Sequence, residues 1–385
     1  MKKFFLILFF SLLFLNETNA ANLIQALNLA YKNNPKFNAE RENLEIAKQK
    51  INEARSDFLP TITISGYESS ENTKKLTNRS GVDVQGTDVD PSQKSILIEQ
   101  QLFQGLGGVA NYKKNNIGFE LSKFKLKKTE QNILFEAIEV YTDLVVSNEK
   151  VKINKVNVSL LERQVETDRN RLEQGEINLT DLAQSEASLA GARAQLIEAE
   201  NKLVTSKLNY ERIIGPLDGN GDKHKMYVFD HKLPESLASA NKISKKENPE
   251  LKMAELELKQ SEEDVRIALS ELSPSAKLSF KSTQTDDTSS TYDESDKNTI
   301  KAEASWPIFA GGKNLAGVKK SKSLKRQKQL LYEDALRSNV AAVANAWSNF
   351  KSSQSSLDSI RSQVRAAEIA NEGITSEYES GSGRS

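Results

Sequence analysis

The chain contains no cysteine and only two histidines among its 385 residues. Without cysteine it forms no disulfide bridge and has no thiolate nucleophile or thiolate metal ligand. The histidines, His224 and His231, both lie in residues 215–234, a segment rich in proline, glycine and aspartate that we interpret as a linker. Asp222 and Asp230 are weak further ligands, so we expect neither a metal site nor a cofactor.

The chain also has no excess charge and no long apolar run. Basic and acidic residues each number 53, so the chain has no net positive charge that would favour binding to nucleic acid. The apolar share is 37 % and the mean hydropathy is −0.55. Beyond residue 15 no apolar run approaches the ~20 residues of a membrane-spanning helix. This composition suits a soluble protein, a coiled coil or a β-barrel, whose strands are only half apolar.

The first twenty residues have the pattern of a secretory signal peptide. Lys2 and Lys3 supply the positive start, residues 4–15 are apolar, and residues 18–20 form a small-residue cleavage site. A membrane anchor is the alternative, but the apolar stretch is short for a bilayer. We therefore expect an exported chain whose mature part starts near residue 21.

The order of sequence features occurs twice. Asn34-Pro35 returns as Asn248-Pro249, 214 positions later, and residues 102–105 return as residues 308–311, 206 positions later. Each half has the order helix, strand, strand, long helix. We expect a first structural repeat over residues 21–215, a linker over 216–235 and a second repeat over 236–385.

Long helices dominate both halves. Proline-free, heptad-patterned stretches predict helices of about 60 residues at 111–171 and 313–379, each on the order of 90–100 Å long. A third helix is predicted at 180–213, and Gly175 joins it to the first as an antiparallel hairpin. Shorter helices are predicted at 23–33, 36–57, 237–246 and 251–271.

The spacing of apolar residues predicts the seam of each long helix. Leu134, Ile138, Tyr141 and Val145 recur at steps of four, three and four. In the third helix the seam residues lie seven apart, with small residues between them: Leu182, Leu189, Leu196, Leu203 and Tyr210, then Ala183, Ala187, Ala190 and Ala194. The last helix carries the seam Leu336, Val340, Val343, Trp347, Phe350, Leu357 and Val364.

Four stretches alternate with the period of a β-strand, at about 61–70, 94–103, 277–282 and 299–308. Their apolar faces include Ile96, Ile98, Leu102, Leu278, Ile300 and Trp306, and their polar faces include Gln101 and Ser279. A barrel with lipid outside and water inside has this pattern, and so does a soluble half-buried sheet. The polar loops expected between the paired strands, 71–94 and 283–298, favour the barrel.

Several of these stretches resemble the TolC-like outer-membrane efflux protein family. The matching segments are 22–27, 33–35, 51–60, 102–105, 171–175, 192–195 and 306–312. The resemblance implies a mixed, mainly α fold, in which long antiparallel coiled-coil helices form a periplasmic tunnel. It also implies a shared transmembrane β-barrel with four strands per protomer and twelve in a homotrimer.

The resemblance departs from the family at the end of the second half. The first repeat has a helix after Gly175, whereas the chain stops four residues after Gly381. We therefore expect a C-terminally truncated form. Without that helix, the apolar seam of the last long helix is expected to lie exposed.

The resemblance implies a function in transport. The expected protein is the outer-membrane exit duct of a tripartite efflux or type I secretion system in a Gram-negative bacterium, a passive conduit with a periplasmic helical extension. Its expected partners are outer-membrane lipid, a periplasmic membrane-fusion adaptor, and an inner-membrane pump or ABC exporter. The sequence holds no glycine-rich phosphate loop and no helical His/Glu metal motif, so we expect no enzyme.

The resemblance also implies particular functional residues near the hairpin turns. The implied channel constriction is formed by Thr180, Asp181, Tyr378 and Arg384, although Arg384 is one residue out of the family register. Gly175 and Gly381 are the implied tip turns for adaptor docking. The alternative for Asp181 is a carboxylate that stabilises the start of its own helix, and both roles are compatible.

Two other kinds of protein share part of this pattern. A periplasmic coiled-coil adaptor would share the signal peptide and the heptads, but not four barrel-type strands split between two repeats. A fibrous adhesin would show uninterrupted heptads without proline-bounded strand pairs. Dependence of the folded protein on detergent separates the duct from both.

Overall fold

The computed structural model describes residues 23–77, 79–84, 87–217, 224–226, 233–289 and 292–379. The predicted signal peptide lies outside these residues, as do His231, Asp222 and Asp230. The chain divides into two compact units. One combines the chain up to Asn43 with Lys125–Lys232, and the other combines Leu44–Phe124 with Leu233–Ser385.

The helices recur in matching lengths. They are α1 (Leu23–Asn33), α2 (Pro35–Ser56), α3 (Gly107–Glu173), α4 (Leu179–Ile213), α5 (Leu237–Glu247), α6 (Pro249–Ser270) and α7 (Lys313–Glu379). Both α1 and α5 have 11 residues, α2 and α6 have 22, and α3 and α7 have 67. Among the described residues, no helix is both long enough and apolar enough to cross a membrane.

The start of α2 and of α6 is fixed by an Asn-Pro pair. Asn34 Oδ1 accepts hydrogen bonds from the backbone N–H groups of Lys36 and Phe37, and Asn248 Oδ1 accepts one from Glu250. The following proline has no N–H group and suits the first helical position. This pairing explains why the boundaries predicted from sequence lie within two residues of those observed.

Four long strands form one antiparallel sheet in the order β1, β6, β7, β8. The strands are β1 (Thr61–Glu68), β2 (Glu71–Thr73), β3 (Leu76–Thr77), β4 (Asp83–Val84), β5 (Thr87–Val89), β6 (Ser92–Gln104), β7 (Ser275–Ser289) and β8 (Tyr292–Ser305). The ladder between β6 and β7 joins the strands of the two halves of the sequence into one sheet. Separately, β2 pairs with β5 and β3 pairs with β4.

The strands differ most from their predicted bounds at three places. Residues 283–298 were expected as a polar loop, but β7 and β8 continue as a paired ladder to Ser289 and Tyr292. The backbone groups of these polar residues bond to each other, so the ladder needs no apolar face there. The predicted loop 71–94 likewise contains β2 to β5. Finally, β8 ends at Ser305 rather than residue 308, because its last partner, Ser275, is the first residue of β7 and follows Pro274.

A glycine corner links the end of β6 to the start of α3. Gly105 has φ +60°, and a Cβ built on it would lie 2.7 Å from the Ser270 carbonyl oxygen. A side chain at this position would therefore meet both a strained backbone conformation and a fixed backbone atom. Asn111, in the first turns of α3, donates to Asp57 Oδ2 at 3.2 Å.

In the first unit the core is formed by α1, α3, α4 and the start of α2. It comprises Leu23, Ala26, Ala30, Phe37, Ile133, Ala137, Tyr141, Leu144, Val145, Tyr210, Ile213 and Ile214. The fully buried positions of α3 therefore include Ile133 and Ala137, whereas the predicted Leu134 is half-buried and the predicted Ile138 is partly buried against the core. Tyr141 and Val145 are buried as expected.

A second cluster in the same unit holds the α3–α4 hairpin together. Val158 and Val165 of α3 pack with Leu182, Leu189 and Ala192 of α4. The heptad prediction for α4 is confirmed, since its seam residues are buried or packed against these clusters. The small residues expected between them were assigned wrongly: Ala183, Ala187, Ala190 and Ala194 are exposed, and Ala192 is the buried alanine.

In the second unit α6 and α7 are joined by ion pairs. Lys325 lies 3.0 Å from Glu262, and Lys328 lies 2.7 Å from Glu257. Farther along α7 the predicted seam is exposed at Val340, Phe350, Leu357 and Val364. The expectation of an exposed apolar stripe is therefore confirmed for these four residues, whereas Leu336, Val343 and Trp347 are half-buried. Glu255 of α6 pairs with Lys259, and hydrogen bonds from Lys259 and Lys252 hold the pKa of the Glu255 carboxyl below its usual range.

Candidate functional site

One apolar row crosses all four long strands of the sheet. Ile62 of β1 lies directly opposite Ile98 of β6, Ile98 lies opposite Phe280 of β7, and Phe280 lies opposite Ile300 of β8. Directly opposed residues of antiparallel strands project from the same face. Ile62 and Ile300 are 67 % and 77 % exposed. The sheet thus presents aliphatic and aromatic side chains to its surroundings, with no second layer of this chain covering them in the described residues.

The opposite face of the same sheet is polar and carries ion pairs. Lys277 Nζ of β7 lies 3.3 Å from Glu99 Oε1 of β6, and Lys301 Nζ lies 2.6 Å from Glu303 Oε2 within β8. Ser65 and Ser95 share a hydrogen bond of 2.8 Å on this face. Gln101 and Ser279, which were predicted on the polar face, lie opposite Lys277 and Glu99 and so belong to it.

Two residues predicted for the apolar face, Leu102 and Trp306, are placed elsewhere by the structure. A register shift between Gln101 and Phe103 places Phe103 opposite Ala276, on the face that carries Leu278. The predicted alternation had assigned Leu102, not Phe103, to that face, because one extra residue in a β-bulge reverses the pattern after it. Trp306 lies beyond the end of β8. Its indole N–H donates to the Leu272 carbonyl at 3.0 Å, and the residue is 62 % exposed.

The outer edges of the sheet belong to β1 and β8. No strand in the described part of the chain pairs with the free edge of either one. A long unpaired edge exposes a row of backbone donors and acceptors and pairs readily with another strand.

The α3–α4 turn is closed by a Schellman motif. Gly175 N–H donates to the Leu172 carbonyl and Glu176 N–H donates to the Arg171 carbonyl, each at 2.9 Å. Gly175 has φ +75°, the left-handed conformation that this motif requires. Arg171 and Glu176 also form an ion pair of 3.1 Å across the turn. The predicted tip turn at Gly175 is therefore a compact, well-specified structure.

Asp181 lies in a capping box at the start of α4. Its carboxylate accepts a hydrogen bond from the Asn178 backbone N–H at 3.1 Å, and its own N–H donates to Asn178 Oδ1 at 3.0 Å. This arrangement stabilises the first turn of the helix. The helix-start role is therefore present in the structure, and Thr180 beside it is exposed. Asn178, the capping residue, was not singled out from the sequence, although its spacing of three from an acidic residue is the signal.

The other residues predicted for the constriction lie at or beyond the end of the described residues. Tyr378 lies in the last turn of α7, and its side chain is outside the described set. Gly381 and Arg384 lie outside the described residues altogether. The constriction and the second tip turn therefore stay predictions.

His224 belongs to the packed interior of the first unit. It is buried between the rings of Tyr141 and Tyr210, at centroid distances of 5.3 and 5.4 Å. The Tyr141 hydroxyl donates to the Lys225 carbonyl at 3.0 Å, and burial raises the pKa of Tyr141 above its ordinary value. Within the described residues no group of three or more His, Cys, Asp or Glu side chains is placed to hold a metal ion. The histidine packs the linker onto the core of the first unit.

Comparison with known families gives a match over most of the chain. The model of the family described as "Outer membrane efflux protein" matches residues 26–216 and 242–385. Both halves of the sequence, with the four long strands and all the long helices, fall within the matched ranges.

Two curated relatives are similar over nearly the whole chain. The outer membrane efflux protein BepC of Brucella suis is 27 % identical over 372 residues, which cover 95 % of this chain and 77 % of BepC. The alkaline protease secretion protein AprF of Pseudomonas aeruginosa is 23 % identical, over 93 % of this chain and 76 % of AprF.

Solved structures share the fold at low sequence identity. The Campylobacter jejuni CmeC outer membrane channel superimposes with a TM-score of 0.73 and 19 % identity, over 94 % of this chain and 77 % of CmeC. The Neisseria gonorrhoeae MtrE outer membrane channel, in its open state, gives a TM-score of 0.69 and 20 % identity, over 94 % of this chain and 80 % of MtrE.

Proposed function

This chain belongs to the outer membrane efflux protein family, and we propose that it is the outer-membrane exit duct of a tripartite efflux or type I secretion system. It conducts solutes passively from the periplasm to the exterior and carries out no chemical reaction. The family places it in the outer membrane, as its relatives' names state for those proteins.

The observation that carries the proposal is the two-faced sheet. The row Ile62, Ile98, Phe280 and Ile300 projects from one face, and the Lys277–Glu99 ion pair lies on the other. A membrane barrel wall needs this division, because its outer surface contacts hydrocarbon and its inner surface contacts water. A periplasmic adaptor, the alternative function, would have no need of exposed apolar rows on a sheet that also carries a charged face.

We further propose that the barrel is shared by three chains. Four strands do not close a barrel, since about eight is the practical minimum. The free edges of β1 and β8 allow β1 of one protomer to pair with β8 of the next. A homotrimer then gives twelve strands and leaves no edge unpaired.

The tight Gly175 turn supports a role for the hairpin in docking an adaptor. A turn held by two backbone hydrogen bonds and an ion pair presents a defined surface. Gly381 is its proposed counterpart in the second half. Asp181 and Thr180 beside the Gly175 turn, with Tyr378 and Arg384, are the proposed constriction, which an adaptor opens when it docks. The inner-membrane partner is then a pump or an ABC exporter.

Reconstitution tests the duct function. The full-length protein, purified from the outer-membrane fraction in detergent, should insert into planar lipid bilayers and give discrete conductance steps. A folded protein that remains soluble without detergent and gives no steps would contradict the duct and favour the adaptor.

A further inference from the structure

The polar face of the sheet carries more positive than negative charge. On β7 and β8 it includes four lysines: Lys277, Lys281, Lys297 and Lys301. The carboxylates on the same face are Glu99 of β6 and Glu303 of β8. On this face β1 contributes Thr61, Thr63, Ser65 and Tyr67. Each chain therefore places two more lysines than carboxylates on the paired part of the face.

The two carboxylates are already engaged. Glu99 pairs with Lys277 at 3.3 Å, and Glu303 pairs with Lys301 at 2.6 Å. Lys281 and Lys297 are exposed, and no carboxylate among the described residues forms an ion pair with either one. The excess charge is therefore localised at these two positions.

Lys281 and Lys297 are also neighbours. Lys281 lies opposite Thr299 and Lys297 lies opposite Thr283, so the two lysines occupy diagonal positions, two residues apart along the β7–β8 ladder. Diagonal neighbours lie ~7–8 Å apart, within reach of long side chains. Two like charges at this separation raise each other's energy, and an anion beside them lowers it.

The acidic residues nearer the hairpin end do not cancel this charge. Asp296 and Glu294 are nearer to Lys297 along β8, but their pairing with Gln284 and Asp286 places them on the opposite, apolar-row face. Asp293 is the nearest acidic residue of β8 with the parity of the polar face, and it lies four residues from Lys297, which is about 13 Å at the rise of a strand. That separation exceeds the Debye length of about 10 Å at 0.1 M salt.

We propose that Lys281 and Lys297 form an anion-attracting ring inside the barrel, which makes the duct favour solutes that carry carboxylate, sulfonate or phosphate groups. This inference rests on the proposed function, because the polar face lines a lumen only if the sheet is a barrel wall. In a trimer the ring holds six lysines without carboxylate partners. The charges act by raising the local concentration of anions in the lumen.

Ion selectivity in planar bilayers tests the ring. Across a gradient of KCl near 0.1 M, the wild-type protein should favour chloride, and Lys281→Gln/Lys297→Gln should lower the chloride-to-potassium permeability ratio by about two- to fourfold, because six partly screened charges are removed from the lumen. The preference should weaken at 1 M salt, where the Debye length is about 3 Å.

Two control variants distinguish the ring from a general effect of lysine removal. Lys94→Gln removes a lysine of β6 that lies opposite Gln284 on the apolar-row face, and it should leave selectivity unchanged. Lys281→Arg/Lys297→Arg keeps the charge and should retain the wild-type ratio. A conducting wild-type channel whose ratio is the same in the glutamine double variant would overturn the ring. A folded protein without any conductance would instead overturn the duct.

Discussion

Lys277 Nζ lies 3.3 Å from Glu99 Oε1, across the ladder that joins β6 from the first half of the sequence to β7 from the second. On the other side of the same ladder Ile98 lies opposite Phe280. One register therefore defines both a charged face and an apolar face. Because neighbouring positions along each strand belong to opposite faces, pairs of substitutions test the assignment directly.

Arginine on the apolar row should destabilise the protein in membranes. Ile98→Arg places a cation where hydrocarbon is expected and should cost about 2–4 kcal/mol near the bilayer midplane. Ser279→Arg, on the polar face, should cost clearly less, because its guanidinium stays in water, with Glu99 opposite on β6 and Lys301 opposite on β8. Urea unfolding of the protein in liposomes measures both, and Leu278→Arg and Gln101→Arg form a second matched pair. Equal losses in the two sets would mean that the alternation belongs to a sheet without a lipid face.

The Gly175 turn should be sensitive to a single methyl group. Gly175→Ala forces an L-residue to φ +75° and should destabilise the hairpin by about 1 kcal/mol. Gly191, in the interior of α4, has open space around its Cα, and Gly191→Ala should stabilise by about 0.4–1 kcal/mol. Thermal unfolding followed by far-UV circular dichroism compares the two variants. A loss of stability at Gly191, or none at Gly175, would contradict the turn geometry.

The constriction is tested by separating the charge of Asp181 from its capping role. Asp181→Ala removes both, and the full-length protein should show a higher single-channel conductance, with Tyr378→Phe adding to it. Asn178→Ala removes the cap at a cost of about 1 kcal/mol but leaves the carboxylate in place, so its conductance should stay at the wild-type value. A single exposed ion pair of the Asp181 carboxylate would stabilise the closed channel by about 0–1 kcal/mol, so the closed state needs the three copies in a trimer to act together. If both variants conduct alike, Asp181 acts only at the start of its helix.

The helices follow closely from the sequence. The bounds of α1 were predicted to the residue, and those of α7 matched at both ends. Long apolar periodicity, together with an Asn-Pro start at α2 and α6, is a local signal that sequence carries directly. The seam of α4 was likewise confirmed through Leu182 and Leu189.

The predictions that differ from the structure concern positions whose burial or register depends on a neighbouring helix or strand. On α3, Ile133 and Ala137 are fully buried and Leu134 is only half-buried, while Ile138, Tyr141 and Val145 of the predicted seam do pack in the core, because the core is set by what α1 and α4 present to it. The bulge before Phe103 cannot be read from β6 alone, since it exists only relative to β7. The neighbouring positions of Lys281 and Lys297 likewise emerge only from the β7–β8 register.

The most direct measurement of the shared barrel is a cysteine cross-link between β1 and β8. The chain has no cysteine, so each double variant contains one defined pair of thiols. Three double variants are made, in which Thr63→Cys is combined with Lys297→Cys, Thr299→Cys or Lys301→Cys. Within one chain β6 and β7 separate these strands by about 14 Å, too far for a disulfide, so any bond must join two chains. The account predicts that oxidised outer membranes give, for at least one pair, a covalent trimer on a non-reducing gel that reduction returns to monomer. Correctly inserted protein that remains monomeric for every pair would contradict it.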